Sequence, residues 1–270
     1  MTTVTAHSDG LSALRPGLLR SVRDSGTMLE RNLRHTLRSP DSMIMTIALP
    51  IMILLMFVYV FGGAMDVGPG PYIDYVVPGI ILLCAGFGAA TTAVSLSTDL
   101  TDGIIDRFRT MAIARTAVLT GHVVESLIRN MITSGLVIIV AVALGFRPTS
   151  DPLRWLGALG VIAMFVFALS WVAAALGLLA KNPEAANGFT FIFMFLPYVS
   201  SAFVPPESMP TALHWFAENQ PVTPVIETVR GLLMGTPIGN SALLAVLWCA
   251  GIALAGYLAA GRLFRLRTKD

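Results

Sequence analysis

The chain has 270 residues, 55 % of them hydrophobic and 13 % charged, with a formal net charge of +2. A soluble domain carries about a quarter charged residues, so the composition excludes an ordinary water-soluble fold, and the small net charge gives no footing for a nucleic-acid partner. Cys84 and Cys249 lie inside apolar runs, and His7, His35, His122 and His214 show no ligand spacing, so neither a disulfide nor a metal site is expected.

Residues 1–41 are predicted to form a cytoplasmic tail and an interfacial helix. Leu18, Val22, Leu29, Leu33 and Leu37 recur at helical spacing, and Arg15, Arg20, Arg23, Arg31, Arg34 and Arg38 occupy much of the remaining surface. Such a helix lies in the membrane interface with its guanidinium groups toward anionic headgroups. Two roles fit it: a basic arm that only sets topology, or a helix that also touches a cytoplasmic partner. Ser39-Pro40-Asp41 breaks it. The first apolar run begins near Met43, too late and too long for a cleaved signal peptide, and reads as a retained anchor.

Residues 42–265 are predicted to be an all-α polytopic membrane domain, followed by a short cytoplasmic tail at 266–270. Six segments have the roughly 20 mostly apolar residues that a bilayer core requires: about 43–61, 75–98, 120–146, 155–180, 185–204 and 241–264. Backbone groups surrounded by lipid must be satisfied within their own segment, so each is expected to be helical. A soluble helical core would need charged helix faces, which these runs lack. Lys and Arg fix the orientation. Six arginines precede the first span; Arg107, Arg109 and Arg115 follow the second; Lys181 follows the fourth; Arg262, Arg265, Arg267 and Lys269 follow the sixth. The opposite loops hold only Arg147, Arg154 and Arg230. Both termini are therefore expected in the cytoplasm.

Between the second and third spans, Asp99, Asp102 and Asp106 recur three or four residues apart, Arg107 and Arg109 follow, and Ile104, Ile105, Phe108 and Met111 make an apolar side. This pattern predicts a short amphipathic helix beneath the membrane, longer than a mere connection needs and suited either to docking a protein or to resting on lipid. Glu125 and Arg129 lie four residues apart early in the third span and share a helix face. Ionisable groups at that depth are costly unless paired or wet. They fit a polar element near the cytoplasmic entrance of a pathway, a lock between helices, or a helix that starts below the membrane.

The fifth span ends in FMFLPYVSSAFVPP, where Pro197 removes a backbone donor and should kink the helix. Two short helical patterns follow, Met209 to Ala217 and Val225 to Met234. Neither is long enough to cross, but both could dip into the outer leaflet if covered by protein. No Gly-Lys-Ser/Thr phosphate loop is present: Lys181 stands in Ala-Lys-Asn and Lys269 in Thr-Lys-Asp. No uncompensated acid marks the middle of a span, as a secondary transporter would more often show. What remains is a pore, a scaffold, or a permease powered by a separate subunit.

TDLTDGIIDRFRTMAIARTAVLTGH (98–122) and PPESMPTALHWFAENQPVTPVIETVRGLLMG (205–235), set among six spans and a basic interfacial helix, resemble the ABC-2 type permease family, and specifically its daunorubicin/doxorubicin-resistance branch. The resemblance implies a permease subunit in the bacterial plasma membrane, paired with a second permease copy or a related chain and with ATP-binding cassette ATPase subunits. ATP and its magnesium ion would sit on those partners, with no cofactor in this chain. It implies a coupling helix that includes Asp99, Asp102, Gly103, Asp106, Arg107, Phe108 and Arg109. It also implies a re-entrant outer gate containing Pro197, Tyr198, Phe203, Pro205, Pro206, Met209, Pro210, Trp215, Phe216, Pro221, Arg230 and Gly231. Phe195, Tyr198, Phe203, Trp215 and Phe216 would form a movable aromatic rim, although interfacial anchoring explains any one of them as well. The implied activity is export of an amphiphilic drug or natural product. Export of a lipid or lipid-linked glycan, or an ATP-independent scaffold or channel, are the alternatives.

Overall fold

A computed structural model describes residues 40–65, 67, 70–103 and 115–267. These residues form helices and connections with no strand among them. In chain order the helices are α1 (Pro40–Leu55), α2 (Tyr72–Thr101), α3 (Arg115–Ala143), α4 (Pro152–Leu179), α5 (Pro183–Phe195), α6 (Thr211–Asn219), α7 (Val222–Met234) and α8 (Ser241–Arg267). A π-helical turn, Met56–Phe61, continues α1. The predicted interfacial helix at the N-terminus, and Asp106, Arg107, Phe108 and Arg109, lie outside the described residues.

Local chemistry sets several of the boundaries. Asp151 precedes Pro152 and accepts a hydrogen bond from the Leu153 amide at 2.9 Å, and Asn182 precedes Pro183 and accepts from the Ala185 amide at 2.8 Å. In both, the cap oxygen satisfies an orphan amide, and the proline takes the first helical position, where no amide is needed. At the other end of α7, Gly235 adopts φ +74°, the left-handed turn that ends a helix at little cost without a Cβ.

α2, α3, α4 and α8 are long and apolar enough to cross a membrane. α5 has 13 residues, about 20 Å at 1.5 Å per residue, which is short of a hydrocarbon core of about 30 Å. The apolar run that predicts a span at 185–204 therefore does not stay α-helical to its end. It turns into a 3-10 segment at Leu196–Val199, where Pro197 lacks the amide that an α-helical turn would use.

α2 is the most enclosed of the four long helices, and α8 is the most exposed. Leu243, Leu247, Leu254 and Leu258 point outward from α8. Without charge to solvate such a face, only lipid or another apolar surface suits it. Inside the bundle, helices meet at small residues. A methyl group added to Gly177 on α4 would fall 2.6 Å from the Ala93 carbonyl oxygen of α2, and one on Gly86 of α2 would fall 2.8 Å from the Phe193 carbonyl oxygen of α5. Lipid tails are as apolar as leucine, so helix association here rests on such close packing and on hydrogen bonds between helices.

The helices run back and forth between two ends. Asp74, Arg147 and Arg230 gather at one end, where the Arg147 amide donates to Asp74 at 3.2 Å and the Thr149 amide to the Leu233 carbonyl at 2.7 Å. Asp99, His122, Ala180 and Arg267 gather at the other, where Arg267 donates to the Ala180 carbonyl at 2.7 Å.

Candidate functional site

Two polar constructions stand out, one at the Arg230 end and one inside the bundle. At the Arg230 end, α7 folds back against α2 and α4 with nearly all of its side chains buried. Arg230, two turns along α7, donates to the Tyr75 carbonyl at 3.0 and 3.2 Å, to the Ser201 carbonyl at 2.6 Å and to Glu227 at 2.5 Å. Its guanidinium also lies 3.8 Å from the centre of the Tyr75 ring, a cation–π contact. One planar fork thus ties α7, the start of α2 and the 200–204 connection together, which a single-point ammonium could not do.

Neighbouring bonds reinforce the same junction. The Tyr72 hydroxyl donates to the Phe203 carbonyl at 2.9 Å. Gln220 donates to the carbonyls of Leu196, at 3.3 Å, and Val199. Thr223 donates to the Ala217 carbonyl at 2.5 Å. Four carbonyls of the irregular 196–204 backbone, those of Leu196, Val199, Ser201 and Phe203, are therefore satisfied by side chains from α2, α7 and the α6–α7 link. Gly79 faces this segment so closely that an added methyl would lie 2.7 Å from the Cα of Ala202.

The aromatic residues divide into two groups. Phe195, Tyr198 and Phe203 join a continuous run with Phe57 and Phe61 of the first helix: Phe57 stacks on Phe203 at 4.2 Å, Tyr198 stacks on Phe203 at 5.1 Å, and Phe195 lies 6.4 Å from Tyr198. Trp215 and Phe216 stand apart on α6, 69 % and 41 % exposed. The other residues expected here punctuate the chain. Pro197 and Pro206 are buried within 3-10 turns, Pro205 and Met209 bracket the second of these, and Pro210 and Pro221 precede α6 and α7. Gly231 packs where an added methyl would come 2.7 Å from Ile238. Gln220, Tyr75 and Phe57 are participants that sequence reasoning missed. Tyr75 and Phe57 sit within apolar runs, and Gln220 stands in the 205–235 motif with nothing in the sequence to mark its bonding partners.

Inside the bundle, Glu125 and Arg129 form an ion pair at 2.7 Å. Arg129 also reaches α2, donating to Thr91 at 2.7 Å, Thr92 at 3.2 Å and the Gly88 carbonyl at 3.3 Å. Both threonine hydroxyls spend their own hydrogens on Gly88, at 2.8 and 2.9 Å, so their lone pairs face the guanidinium. The polar stripe continues along the same face of α3. Asn130 donates to the Ser126 carbonyl at 2.8 Å, and the Ser126 hydroxyl meets that of Ser170 on α4 at 2.9 Å. Toward the other end, His122 Nε2 lies 3.2 Å from Asp99 Oδ2.

Of the expected coupling residues within the described part, Asp99 faces His122, Asp102 caps α2, and Gly103 follows with φ +66°. Four helices long and apolar enough to cross a membrane, with a proline-rich fold-back tied to them, are the architecture of a polytopic membrane protein.

A family model for the ABC-2 type transporter matches residues 24–234, and the chain belongs to that family. It is 31 % identical over 241 residues to the daunorubicin resistance ABC transporter permease protein DrrB1 of Streptomyces coeruleorubidus, covering 89 % of this chain and 82 % of that one. It is 25 % identical over 260 residues to the probable doxorubicin resistance ABC transporter permease protein DrrC of Mycobacterium tuberculosis, covering 94 % of each.

Proposed function

We propose that this chain is the permease subunit of an ABC exporter that moves an amphiphilic drug or natural product outward across a bacterial plasma membrane, with ATP and magnesium bound and turned over by a separate ATPase subunit. The observation that carries this reading is the 31 % identity to a daunorubicin resistance permease across 89 % of the chain.

In this proposal α1 with its π-turn, and α5 with the segment after it, complete six spans. α6 and α7 form a re-entrant gate on the outer face, held by Arg230. The arginine distribution supports a cytoplasmic location for both termini. Residues 99–111 dock the ATPase, and a second permease copy or a related chain completes the pathway. The Glu125–Arg129 pair serves as a lock between α2 and α3, because its donors go to α2 groups. No bond is made or broken in this subunit. ATP binding on the partner favours one arrangement of the bundle by making contacts that differ between the two states.

The test is uptake of a fluorescent anthracycline into inside-out vesicles containing the permease with the ATPase it co-purifies with. ATP-dependent uptake, abolished by a Walker lysine substitution in the ATPase, is expected. An assembled complex that moves neither the anthracycline nor a panel of other amphiphiles would reject the drug reading and leave lipid cargo to be tried.

A further inference from the structure

α2 and α3 are the two legs that enclose residues 104–114, and among the described residues two polar rungs join them. Asp99 and His122 make the first; Thr92 and Arg129 belong to the second. The rungs lie seven residues apart on each leg, two helical turns, or about 10 Å. Between them Leu96 and Val123 are buried in one apolar cluster, and Glu125 and Ser126, buried polar groups of that stretch, bond to Arg129 and to Ser170 of α4. Apolar packing names no single partner atom, whereas a hydrogen bond to a carboxylate has a fixed partner and a short reach. One such rung leaves the legs free to pivot about it. Two, spaced along the axis, fix both their register and their angle.

We infer that His122 is a positioning residue for transport: with Asp99 it closes the rung nearest the 104–114 connection and makes α2 and α3 move as a single lever. The inference deepens the reading that this connection receives the power stroke, and rests on it. Past Asp102, the chain turns at Gly103 in the left-handed conformation that suits glycine. A push on the connection enters the bundle through that turn on one side and through Arg115 on the other. With the first rung closed, both legs carry the displacement inward to Arg129. With it open, the inner turns of each leg absorb the displacement separately. His122 is 4 % exposed, and either its neutral Nε2–H tautomer or its imidazolium can donate to Asp99, so the rung needs no change of protonation.

The test uses the full permease with its ATPase in proteoliposomes and compares His122→Ala, Asp99→Ala and the exchanged pair, Asp99→His with His122→Asp. The expected result for His122→Ala, which lies outside the docking segment, is unchanged co-purification of the ATPase, near-normal ATP hydrolysis, and at least about a fivefold loss of transport per ATP, a coupling effect of ordinary size. Asp99→Ala should show the same loss of transport per ATP hydrolysed by the complex that assembles. The exchanged pair should recover at least half of the loss. Backbone hydrogen exchange on the permease alone provides a second readout, with faster exchange expected at 97–103 and 115–122 in the single variants and none at α8. Unchanged transport per ATP in the single variants, or an exchanged pair that assembles without recovery, would overturn the inference. If the wild-type permease binds no ATPase, the docking reading fails, and hydrogen exchange then decides: unchanged protection at both inner ends would refute the rung itself.

Discussion

Arg230 shows how much one side chain can hold at the junction of α2, α7 and the 200–204 connection. Its guanidinium satisfies two backbone carbonyls, Tyr75 and Ser201, that belong to different elements. Arg230→Ala is expected to cost about 3 kcal/mol, because it strips partners from buried carbonyls as well as removing a charge-assisted fork. A falling unfolding midpoint of the detergent-solubilised protein would register the loss, and an unchanged midpoint would show that the junction holds without it. Arg129→Lys is expected to cost about 2 kcal/mol in the same assay, since a lysine cannot meet Glu125 and the α2 threonines together. The sequence disclosed half of these arrangements. Glu125 and Arg129 could be paired on paper because helical spacing alone brings them together. The bond from Arg230 to Tyr75 spans 155 residues and that from His122 to Asp99 spans 23, so each depends on how helices stack. Phe57 was invisible for the same reason: within an apolar run, nothing marks the aromatic ring that will meet a neighbour.

At the scale of the element, hydropathy found the long helices but set α4 and α5 to begin two or three residues late, because the capping residues that start them are polar. The long apolar runs appear as α2, α3, α4 and α8, and Asp-Pro and Asn-Pro start α4 and α5 where caps are made. The early end of α5 was less legible. Pro197 announced a kink, but whether a helix resumes after a proline depends on side chains elsewhere, here Gln220 and Tyr72, that can satisfy the freed carbonyls. Helix contacts yield a paired prediction. Gly177→Leu should destabilise the bundle by about 2–3 kcal/mol, since Ala93 backbone lies in the way and cannot retreat. Gly160→Ala, on the same helix but with nothing within 4 Å of the new methyl, should be neutral or stabilising by about 0.5–1 kcal/mol. Equal losses in thermal unfolding for the two would show that Gly177 is not a close-packing point.

For the whole molecule, the proposed function gives one bundle a gate at the Arg230 end and a power stroke received at the Asp99 end. If residues 99–111 dock the ATPase as proposed, Phe108→Asp is expected to weaken that association, because it puts a charge among Ile104, Ile105 and Met111 in the sequence. Unaltered co-purification of that variant would count against docking there. The central requirement is that the two ends face opposite compartments, and cysteine labelling reads it directly. The native thiols, Cys84 and Cys249, are buried, so single cysteines placed at Asp102 and at Trp215, both exposed, can be probed with a membrane-impermeant maleimide. In intact cells the Trp215→Cys protein should react and the Asp102→Cys protein should not, with the order reversed in inside-out vesicles. Reaction of both from the same side would contradict the account.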